Sequence, residues 1–337
     1  MTLRRRVAVL VAIIVVGVLG GGLYVIGQRT DQQVAIRTAV PVATTADLAA
    51  VASTPHLVFR STALGPTYGK VAMVLLSDPG GPRAVSGTDC ERVYAAGRRV
   101  LCLAADRGIV TTYTATVLDD AFTPVRPLEL SGIASRARLS RDGRYAATTT
   151  FVSGHSYAST SFVTQTLISD VGDGASRNVE DFTLVHRGEV ITPKDRNLWG
   201  VTFAGGSTFY ATVAWGGQTW LARGDLAQRR LETIRSDAEC PSVSPDGTHV
   251  VYKKRLGAAP GRWRLASYDL ATRTETMLAE TRSVDDQVEW LDDATVVYGL
   301  PRTGAQAGVS DVWSEPIDGA TAPTLVIEGA WSPAVVR

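Results

Sequence analysis

Cysteine is scarce in this chain, with three in 337 residues, and so are histidine, with four, and methionine, with three. No Cys-x-x-Cys pair occurs, so a zinc site built on paired thiolates has no basis. His56, His155, His186 and His249 form no i, i+4 pair and no His-Glu-x-x-His, which excludes the helical zinc-protease motif. There is no Gly-x-Ser-x-Gly nucleophile elbow. Net charge is lacking too. Lys+Arg 34 against Asp+Glu 33 leaves +1, and no basic block follows the first six residues, so nucleic acid is not an expected partner. Aromatic residues are only 7%, but Gly 32 and Pro 15 are many turn-formers for a helical protein. A 45% hydrophobic fraction excludes low-complexity disorder for the bulk of the chain. An all-β fold is the leading expectation.

The N-terminus carries the strongest local signal. Arg4, Arg5 and Arg6 precede Val7 to Ile26, a run without one charge. Twenty residues at about 1.5 Å rise make roughly 30 Å of helix, the thickness of a bilayer core. The sequence therefore predicts a cytoplasmic n-region at 1–6, a single transmembrane signal anchor at 7–26 and a flexible stalk at 27–55. The rest, 56–337, would face outward from the plasma membrane. A cleaved signal is the rival reading, but the run is long for one and ends in bulky Leu23-Tyr24-Val25-Ile26.

Beyond the stalk the chain repeats. Ser244-Pro245-Asp246-Gly247 feeds the apolar strand His249 to Lys253, and Ser140-Arg141-Asp142-Gly143 feeds Arg144 to Thr149 in the same way. Asp142 and Asp246 supply backbone acceptors to the turn, and Gly143 and Gly247 supply a positive φ. Apolar marks before successive turns fall at Val93, Leu139, Phe203, Val243 and Trp290, at intervals of 46, 64, 40 and 47 residues. Four short strands per unit of that length predict a six-bladed β-propeller. Trp331 to Val336 would join Leu57 to Thr62 in one sheet and so remove the open edge. The excess at Asp181 to Asn197 is expected to be a loop excursion on one blade.

Cys240-Pro241-Ser242-Val243 followed by Ser-Pro-Asp-Gly resembles the repeat of TolB-type propellers, whose usual form is Trp-Ser-Pro-Asp-Gly. Further stretches, His56 to Arg60, Pro260 to Arg264 and Ser283 to Trp290, resemble exported TolB-like (WD40-like) proteins of high-GC Gram-positive bacteria. The resemblance covers about His56 to Val336 and implies the propeller fold. TolB itself carries an α/β domain before its propeller and grips a peptidoglycan-linked lipoprotein of an outer-membrane system. That domain has no counterpart here, so the likeness bears on fold more than on translocation.

A propeller places charged residues at strand starts near its axial channel. Asp285, Asp286 and Glu289 are the acidic candidates for a ligand-binding rim, and Arg92 and Arg138 the basic ones, with His155 on a polar loop. Cys90 and Cys102 are a disulfide candidate, because a turn centred near Ala96 sets them opposite one another; two free buried thiols are the alternative. Cys240 repeats the position of Cys90 and reads as a packed small residue. No metal or cofactor is expected. The function these features favour is non-catalytic binding of an envelope protein, peptide or cell-envelope ligand, with the membrane engaged through the N-terminal helix. The alternative is a glycosidase- or lactonase-like envelope hydrolase working at the channel rim.

Overall fold

The turn tetrapeptides set the local geometry. Ser244 Oγ donates to Asp246 Oδ1 at 2.6 Å, and the same oxygen accepts the Thr248 N–H at 3.0 Å. Ser244 Oγ in turn accepts the His249 N–H at 2.9 Å. The Ser140 turn repeats the pattern, with Asp142 Oδ1 holding Ser140 Oγ at 2.6 Å and the Arg144 N–H at 3.1 Å. Gly143 and Gly247 sit at φ +69° and +75°, where a side chain would strain the backbone. Each turn thus launches an antiparallel second strand beside the first.

The computed structural model describes residues 42–45, 47–152, 163–257 and 261–337, with Arg5 and Gly17 as isolated positions. It contains six sheets arranged as propeller blades. Blade 1 holds His56–Ser61, Lys70–Leu75 and Arg83–Asp89, with Ala330–Val336 as its innermost strand. Blade 2 runs through Arg92–Ala96, Arg99–Arg107, Thr111–Asp119 and Pro124–Leu128. Blade 3 comprises Ile133–Leu139, Tyr145–Val152, Val163–Asp170 and Ser176–Asn178. Blade 4 is built on Asn197–Gly205, Thr208–Trp215, Gln218–Asp225 and Arg230–Ser236. Blade 5 has Glu239–Val243, His249–Arg255, Trp263–Asp269 and Glu275–Met277, and blade 6 has Glu289–Trp290, Thr295–Pro301, Ser310–Pro316 and Thr324–Ile327. His56 pairs with Val336 and Leu57 with Val335, so both ends of the propeller share one sheet.

Burial follows from strand alternation, because successive side chains leave opposite faces of a sheet. In blade 1, Val71 and Met73 pack toward Val93 and Cys102 of blade 2, while Ala72 and Val74 pack toward Val297 and Val312 of blade 6. Leu101 and Val117 meet Leu139 and Ala146 between blades 2 and 3, and Tyr210 and Leu221 meet Val250 and Tyr252 between blades 4 and 5. Ile168 of blade 3 packs with Phe209 of blade 4, and Leu265 of blade 5 with Tyr298 of blade 6. Every neighbouring pair of blades therefore has its own apolar seam, and the ring closes without a gap.

Three expectations change at this point. First, residues expected as stalk are part of the propeller. Thr44–Thr45 pairs in parallel with Arg83 and Ala84, and the helix Leu48–Ala52 buries Val51 against blade 1. Second, the excursion sits on blade 4 and is not a blade of its own, as expected, but it is a hairpin and not a loop. The hairpin Thr183–His186 and Glu189–Ile191 adds two strands by parallel pairing with Arg230–Ser236. Third, the N-terminal transmembrane helix is not part of the described fold. Among the described residues no helix is long and apolar enough to cross a membrane. Leu48–Ala52, at five residues, is about 8 Å long against the roughly 30 Å that a bilayer core requires. Apart from Gly17, Val7 to Ile26 lie outside the described residues. The signal anchor, the single-pass plasma-membrane placement with an outward-facing propeller, and the membrane as partner all rested on that helix and are withdrawn with it.

Candidate functional site

The chain leaves the outer edge of blade 5 at Met277 and reaches the inner strand of blade 6 at Glu289. On the way, Asp285 to Val288 cross the axial channel and contact four other blades. Asp286 Oδ1 accepts from Arg92 of blade 2 at 3.0 Å, and its Oδ2 accepts the Gly299 N–H at 3.0 Å. Asp285 Oδ1 accepts from Lys253 of blade 5 at 2.6 Å and from Arg136 of blade 3 at 3.3 Å. Arg138 of blade 3 donates to the Glu289 carboxylate, to the Val288 carbonyl and, at 3.2 Å, to Ser242 Oγ. The Gln287 amide reaches the carbonyls of Val201 and Pro241 at 3.1 and 2.9 Å.

Aromatic faces complete the lining. The Arg138 guanidinium lies 4.5 Å from the Tyr94 ring centroid, Arg92 lies 5.1 Å from that of Trp331, and the Lys253 ammonium lies 4.2 Å from that of Trp263. Burial and these charges shift the ionisations. Burial would raise the Asp285 carboxyl, but Lys253 and Arg136 outweigh it and hold that group below its ordinary value. Burial would likewise depress Arg138, yet Tyr94 and Glu289 raise it. Arg92 is lowered, by burial first and then by the like charge of Arg136, against the pull of Asp286. Burial pushes the Tyr94 phenol up.

Five of the six rim candidates, Arg92, Arg138, Asp285, Asp286 and Glu289, therefore meet in one network. His155 lies outside the described residues. The carboxylates differ in access: the Asp286 side chain is 2% exposed and that of Glu289 11%, whereas Asp285 keeps 60%. Asp286 and Glu289 are buried ties between blades, and Asp285 is the one that faces water. A cavity of about 10 Å³ is lined by Arg92, Tyr94, Arg136, Arg138, Asp286 and Gln287 among others. That is on the order of one water molecule. Among the described residues, no group of three or more His, Cys, Asp or Glu side chains could hold a metal ion.

Cys90 and Cys102 form a disulfide with Cα atoms 5.5 Å apart. The register differs from a turn centred at Ala96. Val93 faces Cys102 and Ala96 faces Arg99, so the turn is Gly97-Arg98, and Cys90 reaches Cys102 from just before the strand. Cys240 is a buried free thiol at φ +48°. Lys253 and Tyr94 belong to the network but carry no motif. For Arg136 and Gln287 a sequence signal does exist: each stands three residues before its blade's apolar mark, as Cys90, Gly200 and Cys240 do. On the inner strands this position adjoins the bulges of blades 4 and 5, whose ladders shift register at Trp199/Thr202 and Glu239/Ser242. A charged or amide side chain there is aimed at the axis.

No protein family and no curated protein matches the chain by sequence. Solved structures do match in fold. TolB from Acinetobacter baumannii aligns with a TM-score of 0.59 at 14% identity, over 84% of this chain and 67% of that one. A puromycin-hydrolyzing peptidase from Mycobacterium tuberculosis gives 0.48 at 15%, over 77% and 42%. A TolB-designated protein from Agrobacterium tumefaciens gives 0.49 at 11%, over 82% and 90%. At these identities the likeness is one of fold. It corrects the narrower resemblance to membrane-anchored proteins of high-GC Gram-positive bacteria: the relation to TolB is distant, and no membrane helix accompanies it among the described residues. The chain is thus similar to TolB in fold, which here is a six-bladed antiparallel propeller with Ala330–Val336 paired to His56–Ser61 in one sheet.

Proposed function

We propose that this propeller is a non-catalytic scaffold that binds a protein or peptide segment on one face. The observation that carries this reading is the filled axis. Three carboxylates and four cations occupy one another there, and the cavity that they line is about 10 Å³, far below the roughly 300–1,000 Å³ of a small-molecule site. Binding then falls to the exposed surface.

The upper face, which bears the loops between second and third strands, is the better candidate. Ile109 and Val110 at the blade 2 hairpin and Ile133 and Phe151 on blade 3 are exposed there. Asp285 presents its carboxylate to the same side. Apolar contacts beside a fixed charge suit a polypeptide with a few apolar anchors. Rigid strands hold these loops, which favours recognition with little ordering cost.

A photoreactive residue placed at Ile109 or Val110 of the full chain tests this in cells. Both positions should give the same discrete adduct, while Thr272, exposed on the opposite face, should give none. Adducts from Thr272 alone would reverse the assignment of the face.

A further inference from the structure

We propose that the axial cavity is a binding site for a single halide-sized monovalent anion, chloride being the common example. Four cations, Arg92, Arg136, Arg138 and Lys253, meet three carboxylates, Asp285, Asp286 and Glu289. One positive charge is left over in a largely buried cluster, where an unmatched charge is costly. Asp285 serves two of the cations at once and is the most exposed of the three acids.

The donors point to the same conclusion. The Nε atoms of Arg136 and Arg138 are buried and have no hydrogen-bond partner among the described residues. Buried polar groups of this kind ordinarily meet a water or an ion. Arg92, Arg136 and Arg138 all line the cavity, and a guanidinium offers donors only. Asp286 lines it as well, but both of its oxygens are engaged, by Arg92 and by the Gly299 N–H. A water is the competing occupant, since each Asp286 oxygen keeps a second lone pair for it, but a water brings no charge. A spherical anion accepts from every side and supplies the missing charge. The volume, about 10 Å³, limits the occupant to one small ion or one water.

Two measurements on the full chain decide it. Thermal melting is compared in sodium chloride and sodium isethionate at equal ionic strength, since isethionate is too large to enter. Binding to the folded state alone predicts a saturable rise of Tm with chloride and none with isethionate. Crystals grown or soaked in sodium bromide should show an anomalous peak between Arg92, Arg136 and Arg138. Arg136→Gln removes the surplus charge and should melt at the same temperature in both salts; a chloride shift retained in that variant would put the ion elsewhere and overturn the proposal. Should the variant fail to fold, the bromide peak in the native protein decides alone. Its absence overturns the proposal and leaves a water as the occupant.

Discussion

The side-chain amide of Gln287 donates to two carbonyls on different blades, Val201 at 3.1 Å and Pro241 at 2.9 Å. Both carbonyls lie in inner-strand bulges, where the ladder hydrogen bonds lapse. A side chain from blade 6 thereby replaces the missing pairing of blades 4 and 5. Gln287→Leu leaves both acceptors buried and unpaired, and should lower stability by roughly 1–3 kcal/mol. Urea unfolding should show an earlier midpoint at an unchanged slope. Gln287→Glu should be worse still, because a carboxylate would face two carbonyl oxygens.

Two glycines separate backbone strain from collision. Gly247 has φ +75°, and a methyl group added to its Cα would meet nothing within 4 Å, so Gly247→Ala should cost only the conformational penalty, about 1 kcal/mol. Gly200 has φ +67°, and a Cβ there would lie 2.6 Å from the Cys240 Cα. Gly200→Ala must also push two inner strands apart. It should destabilise several-fold more than Gly247→Ala, as read by thermal melting of the two variants side by side.

A pH dependence follows from Glu315. This fully buried carboxylate accepts the Glu280 N–H at 2.9 Å through Oε2, while its Oε1 has no partner among the described residues. Burial, with some help from the Glu280 charge, pushes its carboxyl up from an ordinary 4.5 to about 7. The folded chain then binds more protons than the unfolded chain between those values. The contribution of Glu315 to stability is fully present below about pH 4.5 and is lost as pH rises through 7. Glu315→Gln keeps an acceptor for the Glu280 N–H and removes the titration. Its melting temperature relative to the native protein should therefore climb between pH 5 and pH 8, whereas a constant difference would place the shift elsewhere.

The propeller was legible because its signal is local. Ser-x-Asp-Gly fixes a turn within five residues, and the strand that follows is apolar at both clear copies. The closure was legible because Trp331 to Val336 opens a further unit whose strand needs a sheet. What escaped depends on distant partners. Thr44–Thr45 becomes a strand only beside Arg83, and Leu48–Ala52 a helix only against blade 1. The candidate rim was half legible: charges at blade starts were visible, but Arg138 meets Glu289 across 151 residues, and no local pattern says that these charges neutralise one another. Gln287, a polar residue three places before the apolar mark of blade 6, gave the clearest overlooked hint.

The measurement that bears most directly on the filled axis is a double-mutant cycle on Arg92 and Asp286, whose side chains meet at 3.0 Å with 16% and 2% exposure. Chemical unfolding of Arg92→Ala, Asp286→Ala and the double variant gives the coupling between them. A structural tie predicts a coupling of roughly 0.5–3 kcal/mol, with Asp286→Ala alone clearly destabilised by the unpaired guanidinium it leaves behind. A coupling near zero, with Asp286→Ala unfolding like the native chain, would contradict it and return Asp286 to the surface as a residue free to meet a ligand.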